Sequence, residues 1–298
     1  MAIAIVTAVT NTKVCARILT IAASLLTAEV SAQPLPQPDL NFPTEARELP
    51  RWVPLDMALY KPPGAGPFPA LVIYPSGGGL NQDLIPWVIA VVQKGYVALV
   101  VDYQKPRGLT PKDIAGGRVQ FVQGAKDALQ ALAHLKTFSF VDAQRIGIMG
   151  FSWGGMAALL AGSPSFRAFA GAAQGFTVAV AFYPGCYYPP PPNSPLRERL
   201  LLRADHDLPT LILQGEKDNE VIPTECTNRV AALKSVGRPI ELHEYPGIGH
   251  AWDGKFMDGF RKVDAYGNNI VYRYSKETTE DSSRRAFNFL GTHLRPGN

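Results

Sequence analysis

Residues 145–155 read RIGIMGFSWGG, and this stretch predicts a strand, a very tight turn and a helix in succession. Its centre, GFSWG at residues 150–154, matches G-x-S-x-G, the nucleophile elbow, where a serine sits on a strained turn with its hydroxyl exposed. Because Gly150 and Gly154 lack a Cβ atom, strand and helix can pack closely around such a turn. The pattern indicates Ser152 as a candidate nucleophile, although a glycine-rich turn without chemistry has the same letters.

The composition is that of a globular protein with a substantial core. The 298-residue chain is 46% hydrophobic and 18% charged, and an α/β fold of this length is commonly a single domain. The formal net charge of +4 is spread thinly, with no basic run and no interleaving of basic and aromatic residues. The sequence therefore argues against a nucleic-acid partner.

The N-terminal stretch differs from the rest of the chain. Lys13 and Arg17 precede an apolar run over residues 18–28, and VSA at residues 30–32 is a small-x-small pattern. This arrangement predicts a signal peptide over residues 1–32, since the apolar run is shorter than the roughly 20 residues that span a bilayer. We therefore expect an exported protein, periplasmic or secreted, with no stable membrane anchor after cleavage.

After the signal peptide, the sequence predicts a proline-rich extended arm over residues 33–50 and one α/β domain over residues 51–298. Apolar runs typical of buried strands alternate with helical patterns along this domain. The predicted strands are residues 52–60 at an edge, 69–74, 96–103, the run before Ser152, 177–183, 210–214 and 240–245, and the predicted helices are 84–94, 117–135, 156–161 and 275–294. Such alternation predicts a mainly parallel sheet with helices on both faces.

A candidate acid and a candidate histidine follow two of the later predicted strands. In open α/β sheets, ligands bind beyond the carboxyl ends of the strands. Asp218 is the best-placed acid, in the loop GEKDNEVIP after the strand TLILQ, with Glu216 and Glu220 as rivals. His250 lies in the glycine-bounded loop PGIGHAW after the strand IELHEY. The order Ser152, Asp218, His250 is that of the α/β hydrolases.

The glycine-rich loop SGGG, residues 76–79, supplies candidate backbone donors. An oxyanion hole of this class combines the N–H after the nucleophile with an N–H from the loop after the third strand. We therefore predict that Trp153 and either Gly77 or Gly78 donate to the oxyanion. A flexible turn explains the glycines as well, whereas a phosphate-binding loop requires a Lys-Ser/Thr pair that the following LNQ does not supply.

Four blocks of sequence together resemble the dienelactone hydrolase family of the α/β-hydrolase superfamily: FPALVIYPSGGG, RIGIMGFSWGG, PTLILQGEKDNEVIP and YPGIGHAW. The resemblance runs from about Leu55 to the final predicted helix. It implies the α/β-hydrolase fold, a Ser152–His250–Asp218 triad and hydrolysis of esters or lactones. Two positions depart from the family's pattern, since founding members carry cysteine in place of Ser152 and many members carry histidine where Ser76 stands.

Aromatic residues crowd the motif loops, and a pocket lined by aromatic and apolar groups suits an acyl or aryl ester. The predicted lining comprises Tyr74, Phe151, Tyr183 and Trp252. Residues 186–209 contain a run of prolines, which is stiff and extended. The resemblance implies a short lid segment here, because the superfamily often inserts a lid at this place, although the segment is too short for a separate cap domain. No His, Cys and carboxylate cluster has metal-ligand spacing, so the sequence implies no metal and no cofactor.

Cys186 and Cys226 are the cysteines that remain after removal of the predicted signal peptide. One follows the predicted strand 177–183 and the other follows the acid loop, so neighbouring strands would place both at the same edge of the sheet. Two such thiols pair in an oxidising compartment. We therefore predict a disulfide between them, with two separate buried thiols as the alternative.

Taken together, these patterns predict an exported, single-domain serine hydrolase that cleaves a small-molecule carboxylic ester or lactone through an acyl-enzyme intermediate. Two alternatives stay open at this point. A serine peptidase related to the prolyl-oligopeptidase hydrolases shares the same order of residues. A non-catalytic binding protein could also keep the fold without turnover, because fold alone does not establish activity.

Overall fold

The computed structural model describes residues 40–49, 55–189, 199–264 and 266–294. The predicted signal peptide at residues 1–32 lies outside these ranges, as do residues 33–39 and 50 of the arm, 52–54 of the edge strand and 190–198 of the lid segment. Within the described ranges, no helix is long and apolar enough to cross a membrane.

The described strands, in chain order, are β1 (Ala46–Arg47), β2 (Leu59–Tyr60), β3 (Phe68–Tyr74), β4 (Val97–Val100), β5 (Val141–Phe151), β6 (Val178–Phe182), β7 (Tyr187–Tyr188), β8 (Arg199–Leu200), β9 (Thr210–Gly215), β10 (Ile240–Tyr245), β11 (Arg261–Val263) and β12 (Asn269–Val271). Eight of them form one sheet in the order β1-β2-β4-β3-β5-β6-β9-β10. Every pairing in this sheet is parallel except that of β2 with β4. The predicted mainly parallel sheet is confirmed.

Helices cover both faces of this sheet. They are α1 (Ile85–Gln93), α2 (Pro111–Ala115), α3 (Phe121–Leu135), α4 (Trp153–Ala161), α5 (Pro164–Phe169), α6 (Pro223–Lys234) and α7 (Lys276–Leu294). Side chains alternate along β3, so Ala70 and Val72 pack with α3 and α4 while Leu71 and Ile73 pack with α1 and α7. Burial on both faces explains why the central strands are continuously apolar. The described part of the chain contains no large cap domain.

Several parts of the fold differ from the sequence-based expectation. Within residues 55–60, the described part of the predicted edge strand 52–60, the strand is limited to β2. The sheet continues beyond β2 to β1, which comes from the predicted arm. Asp56 lies in a bend and its carboxylate approaches the Arg47 guanidinium at 3.4 Å, so the chain turns before β2 begins. The helix α6 was also missed, because its buried apolar residues form only a narrow stripe on an otherwise polar segment.

A hairpin formed by β11 and β12 lies between His250 and α7, in a stretch without a predicted element. Its turn is held by Asp264, whose carboxylate accepts the backbone N–H groups of Tyr266 and Asn268 at 2.9 and 2.8 Å. The Tyr266 hydroxyl donates to the carbonyl oxygen of Pro189, just after β7. The hairpin therefore contacts residue 189, near the start of the predicted lid segment 186–209.

A disulfide joins Cys186, which lies between β6 and β7, to Cys226 in α6. The two Cα atoms are 4.9 Å apart, the bridge spans 40 residues, and both cysteines are fully buried. The bridge therefore ties the chain leaving β6 to the helix that follows the candidate acid loop.

Removal of this bridge is expected to lower the free energy of unfolding by about 4 kcal/mol, less any strain, because closing a 40-residue loop restricts the unfolded chain. Urea unfolding of the protein with and without a reductant measures the difference. The double variant Cys186→Ala/Cys226→Ala is the control, since its stability should not respond to the reductant. Equal stability of the oxidised and reduced protein would contradict the prediction.

Candidate active site

Ser152 lies between β5 and α4 in a backbone conformation that side chains rarely adopt, with φ 49° and ψ −112°. The neighbouring glycines make this turn possible. A Cβ atom at Gly150 would lie 2.3 Å from the carbonyl oxygen of Gly154, and one at Gly154 would lie 2.3 Å from that of Tyr74. The Ser152 N–H donates to the carbonyl oxygen of Phe182 at 2.8 Å, which anchors the turn to β6. The serine is therefore held at the carboxyl end of the central strand.

The three candidate catalytic side chains form one hydrogen-bonded series. Ser152 is 98 residues from His250 along the chain, and Asp218 is 32 residues from it. The Nε2 atom of His250 lies 2.9 Å from Ser152 Oγ, and its Nδ1 atom lies 2.6 Å from Asp218 Oδ2. Residue exposures of 8% for Ser152, 3% for His250 and 6% for Asp218 show that water has little access to these contacts. This geometry allows a proton to pass from the serine to the imidazole while the carboxylate holds the ring.

The loop after β9 distinguishes Asp218 from the rival acids. Asp218 Oδ1 accepts the backbone N–H groups of Glu220 and Val221 at 2.9 and 3.1 Å, which leaves Oδ2 aimed at His250. Glu216 is instead exposed, and its carboxylate accepts the Gly247 N–H at 2.9 Å. Glu220 lies on the other side of the imidazole, with Oε2 3.9 Å from His250 Nε2. The acid within hydrogen-bonding distance of Nδ1 is therefore Asp218.

The charges around His250 favour its protonated form. Burial alone would lower the pKa of this imidazole, but the carboxylates of Asp218 and Glu220 outweigh it, and the pKa of His250 is raised. The positive charge of Lys262 opposes this effect in part. A raised pKa strengthens the imidazole as a proton acceptor, as a general base requires.

The candidate oxyanion donors lie beside the nucleophile. Trp153 is the first residue of α4, so its backbone N–H belongs to the unsatisfied N-terminal end of a helix. Gly77 is close to it, because a Cβ atom built on Gly77 would lie 3.9 Å from the Trp153 Cβ. The N–H of Gly78 already donates to Ser76 Oγ at 3.3 Å. Of the two predicted glycines, Gly77 is therefore the better placed to donate to a substrate.

A cavity of about 680 Å³ opens above Ser152, within the range of small-molecule sites. Part of its wall is apolar and comes from the loops and helices on the α3 and α4 side. The residues of this apolar wall are Ile114, Val119, Phe121, Met156 and Val221. Within the described ranges, no group of three or more His, Cys, Asp or Glu side chains is placed to hold a metal ion.

Two of the four aromatic residues predicted to line the pocket do not do so. Phe151 and Tyr183 lie in the cavity wall, whereas Tyr74 and Trp252 are fully buried elsewhere. Because side chains alternate along β3, Tyr74 points to the face covered by α3 and α4. Its ring stacks on that of Tyr103 there, with centroids 5.5 Å apart. Trp252 follows Ala251, whose φ of 53° redirects the chain, and its indole N–H donates to the Ser282 hydroxyl in α7 at 3.3 Å. Proximity in sequence to a motif therefore did not place these rings in the pocket.

A buried network that the sequence did not indicate supports the histidine from one side. The Tyr183 ring packs edge-on against the His250 ring with centroids 4.7 Å apart. Its hydroxyl donates to Asp253 Oδ1 at 2.7 Å, and the Trp87 indole N–H donates to Asp253 Oδ2 at 2.8 Å. Burial raises the pKa of Asp253, against these two hydrogen bonds. Only the fold brings these groups together, because they lie on three separate segments.

The hairpin contributes further residues that sequence analysis missed. Lys262 on β11 and Tyr272, the residue after β12, both contact Glu220 and both line the cavity. One signal could have pointed to this segment. The stretch between His250 and α7 is longer than most connections in compact domains, and such stretches are often functional.

A strained serine after the central strand of a parallel sheet, with an acid and a histidine from later loops, defines the α/β-hydrolase class. Solved structures agree on the fold. Thermogutta terrifontis esterase 2 phosphonylated by cyclosarin superposes with a TM-score of 0.60 over 80% of this chain and 90% of that chain, at 19% identity. An α/β hydrolase named MGS-M1, from a Medee basin deep-sea metagenome library, has a TM-score of 0.54 over 76% and 85%, at 18% identity.

The chain belongs to the dienelactone hydrolase family, whose sequence profile matches residues 55–294. This confirms the family resemblance of the four sequence blocks. One relative is the Bradyrhizobium protein named "Probable 2-oxo-3-(5-oxofuran-2-ylidene)propanoate lactonase". It is 27% identical over 224 residues, which cover 72% of this chain and 86% of that protein. The family's name and that of this relative describe hydrolases of lactones, which are cyclic esters.

Proposed function

We propose that the protein is an exported serine hydrolase that cleaves a carboxylic ester or lactone through an acyl-enzyme intermediate. The observation that carries this proposal is the series Ser152–His250–Asp218, with contacts of 2.9 and 2.6 Å, whose serine and histidine line a cavity. Export rests on the sequence of residues 1–32, and the disulfide supports it, because such bridges persist in oxidising compartments.

The first half of the reaction forms the acyl enzyme. His250 Nε2 takes the proton of the Ser152 hydroxyl as Oγ attacks the carbonyl carbon of the substrate. The carbonyl oxygen becomes an oxyanion, which accepts hydrogen bonds from the N–H groups of Trp153 and Gly77. When this intermediate collapses, the bond to the alkoxy oxygen breaks, and the imidazolium donates its proton to that oxygen. The alcohol leaves, or, with a lactone, remains attached at the far end of the acyl group.

The second half uses the same groups with water. His250 accepts a proton from a water molecule, whose oxygen attacks the acyl carbon. The resulting oxyanion lies against the same backbone donors, and its collapse breaks the bond to Ser152 Oγ. The imidazolium returns its proton to Oγ, and the carboxylic acid is released. Apart from the substrate and one water molecule, the groups that act in these steps are the side chains and backbone N–H groups of the site.

The apolar cavity wall favours an ester or lactone with an apolar acyl or aryl part. The name of the Bradyrhizobium relative adds a reason to include lactones among the test substrates. The peptidase and binding-protein alternatives become outcomes of the same experiment.

A fluorophosphonate probe is expected to label the protein once, on Ser152, because the probe reacts with a serine activated by a neighbouring base. Intact-mass and peptide mass spectrometry identify the labelled residue. A parallel panel of p-nitrophenyl esters, simple lactones and peptide anilides measures turnover, and we expect esters or lactones to exceed the anilides. Labelling with faster anilide cleavage would favour the peptidase. If the probe does not label the protein and no substrate is turned over, the non-catalytic binding protein is the remaining alternative.

A further inference from the structure

A second carboxylate faces the reacting side of the imidazole. Glu220 lies two residues after Asp218, and its Oε2 atom is 3.9 Å from Nε2 of His250. This is the nitrogen that contacts Ser152 Oγ, whereas Asp218 lies on the opposite nitrogen. Acids from one loop thus lie on both sides of the ring.

The hairpin holds this carboxylate in place. Lys262 Nζ donates to Glu220 Oε1 at 2.5 Å, and the Tyr272 hydroxyl donates to Glu220 Oε2 at 2.8 Å. With both oxygens engaged, the carboxylate stays beyond hydrogen-bonding distance of the imidazole. It can therefore act on His250 through its charge without replacing Ser152 as the hydrogen-bond partner of Nε2.

The titratable groups that face His250 in the described chain come from four elements around the ring. They are Asp218 and Glu220 from the loop after β9, Tyr183 after β6, Lys262 on β11 and Tyr272 after β12. The phenols of Tyr183 and Tyr272 are neutral in the working range, because burial raises the pKa of each well above its ordinary value. The charges that act on the ring are therefore those of two acids and one lysine.

We propose that Glu220 is a positioning residue that stabilises the imidazolium of His250 during both halves of the reaction, and that Lys262 limits this stabilisation. This inference rests on the proposed function. The imidazolium appears whenever His250 holds the proton. A carboxylate 3.9 Å away lowers its energy, because the imidazole is almost fully buried and the Glu220 side chain is only 20% exposed. Lys262 places an opposing charge on the same carboxylate.

Glu220 could instead serve only to link the hairpin to the acid loop through its contacts with Lys262 and Tyr272. The pKa of His250 distinguishes the two roles, because a purely structural link does not depend on the charge of Glu220. Glu220→Gln removes the charge but keeps one oxygen that can accept from Lys262, while the new amide N–H group can donate to the Tyr272 hydroxyl oxygen. Without the charge, the pKa of His250 falls and the neutral imidazole persists to lower pH. Lys262→Met removes the opposing charge, so the pKa of His250 rises. The two variants should shift the pH profile in opposite directions.

The rate constant for inactivation by a fluorophosphonate, measured against pH, reports the Ser152–His250 pair without a known substrate. In Glu220→Gln the acidic limb should move to lower pH by about one pH unit, the lower end for an opposite charge within about 4–6 Å. Its maximal rate constant should fall by at most about tenfold, since one pKa unit corresponds to a factor of ten. In Lys262→Met the limb should move to higher pH, by a smaller amount.

Glu216→Gln is the matched control, because it removes an exposed carboxylate from the same loop and should leave the limb unchanged. Thermal unfolding of each variant shows whether the fold is kept, and Lys262→Met tests the inference independently if Glu220→Gln does not fold. If the acidic limbs of Glu220→Gln and Lys262→Met stay at the wild-type pH, or both shift in the same direction, Glu220 has only a structural role. A wild-type protein that the probe does not label would instead overturn the proposed function, and this inference with it.

Discussion

Replacement of Ser152 by alanine is expected to lower kcat on esters by several orders of magnitude, on the order of 10⁴ to 10⁶. The variant lacks the only group of the series that can form the acyl enzyme, so the remaining reaction is direct attack by water. A residual acceleration on the order of 10³–10⁴ over water should survive, because substrate binding and the backbone donors at Trp153 and Gly77 are retained.

The fold should survive this substitution. Alanine removes a single oxygen from a side chain that is almost fully buried, and it keeps the Cβ atom and the N–H bond to the Phe182 carbonyl. Initial rates with a p-nitrophenyl ester, together with thermal unfolding, measure the two effects. Ser235→Ala, at an exposed serine after α6, is the control and should be fully active. Near-normal turnover by Ser152→Ala would show that another residue is the nucleophile.

Asp218→Asn is expected to lower kcat by about 10⁴, through the tautomer of His250. An amide placed 2.6 Å from Nδ1 can donate its own N–H to that nitrogen. The proton of the neutral ring then moves to Nε2, which faces Ser152 and can no longer accept the hydroxyl proton. Because asparagine keeps an oxygen for the N–H groups of Glu220 and Val221, the loop itself should be preserved.

Comparison of Asp218→Asn with Glu220→Gln shows which of the two carboxylates orients His250. The structure puts Glu220 on the other nitrogen at 3.9 Å, so its loss should cost at most about tenfold. Steady-state kinetics of both variants at the pH optimum of the wild type measure the two costs. If Glu220→Gln were the more damaging change, the roles assigned to the two carboxylates would have to be exchanged.

The main features of the fold could be predicted from local patterns. Buried strands such as β3 and β6 are continuously apolar because helices cover both faces of the sheet, and this pattern is visible in the sequence. The segment around Ser152 was equally informative, since Gly150 and Gly154 are required by contacts that a Cβ atom would make impossible. Elements with weak local patterns, namely α6 and the hairpin of β11 and β12, could not be found this way.

The candidate site shows the same division. The order of the chain identified Ser152, Asp218 and His250 as candidates, because α/β sheets place successive loops at one edge. The sequence favoured Asp218 as the acid but kept Glu216 and Glu220, from the same loop, as rivals. Only the tertiary structure decided which of them lies against Nδ1, since that depends on backbone hydrogen bonds that orient Asp218 within the loop.

By itself, the sequence determined the sheet, the elbow and the family, because each depends on residues that are neighbours along the chain. The tertiary structure decided the surroundings of His250, where Tyr183, Glu220 and Lys262 converge from distant segments. It also decided that Trp252, next but one to His250, turns into the core. Side-chain direction and charge proximity depend on how separate loops pack against one another, and local sequence patterns carry no information about that packing.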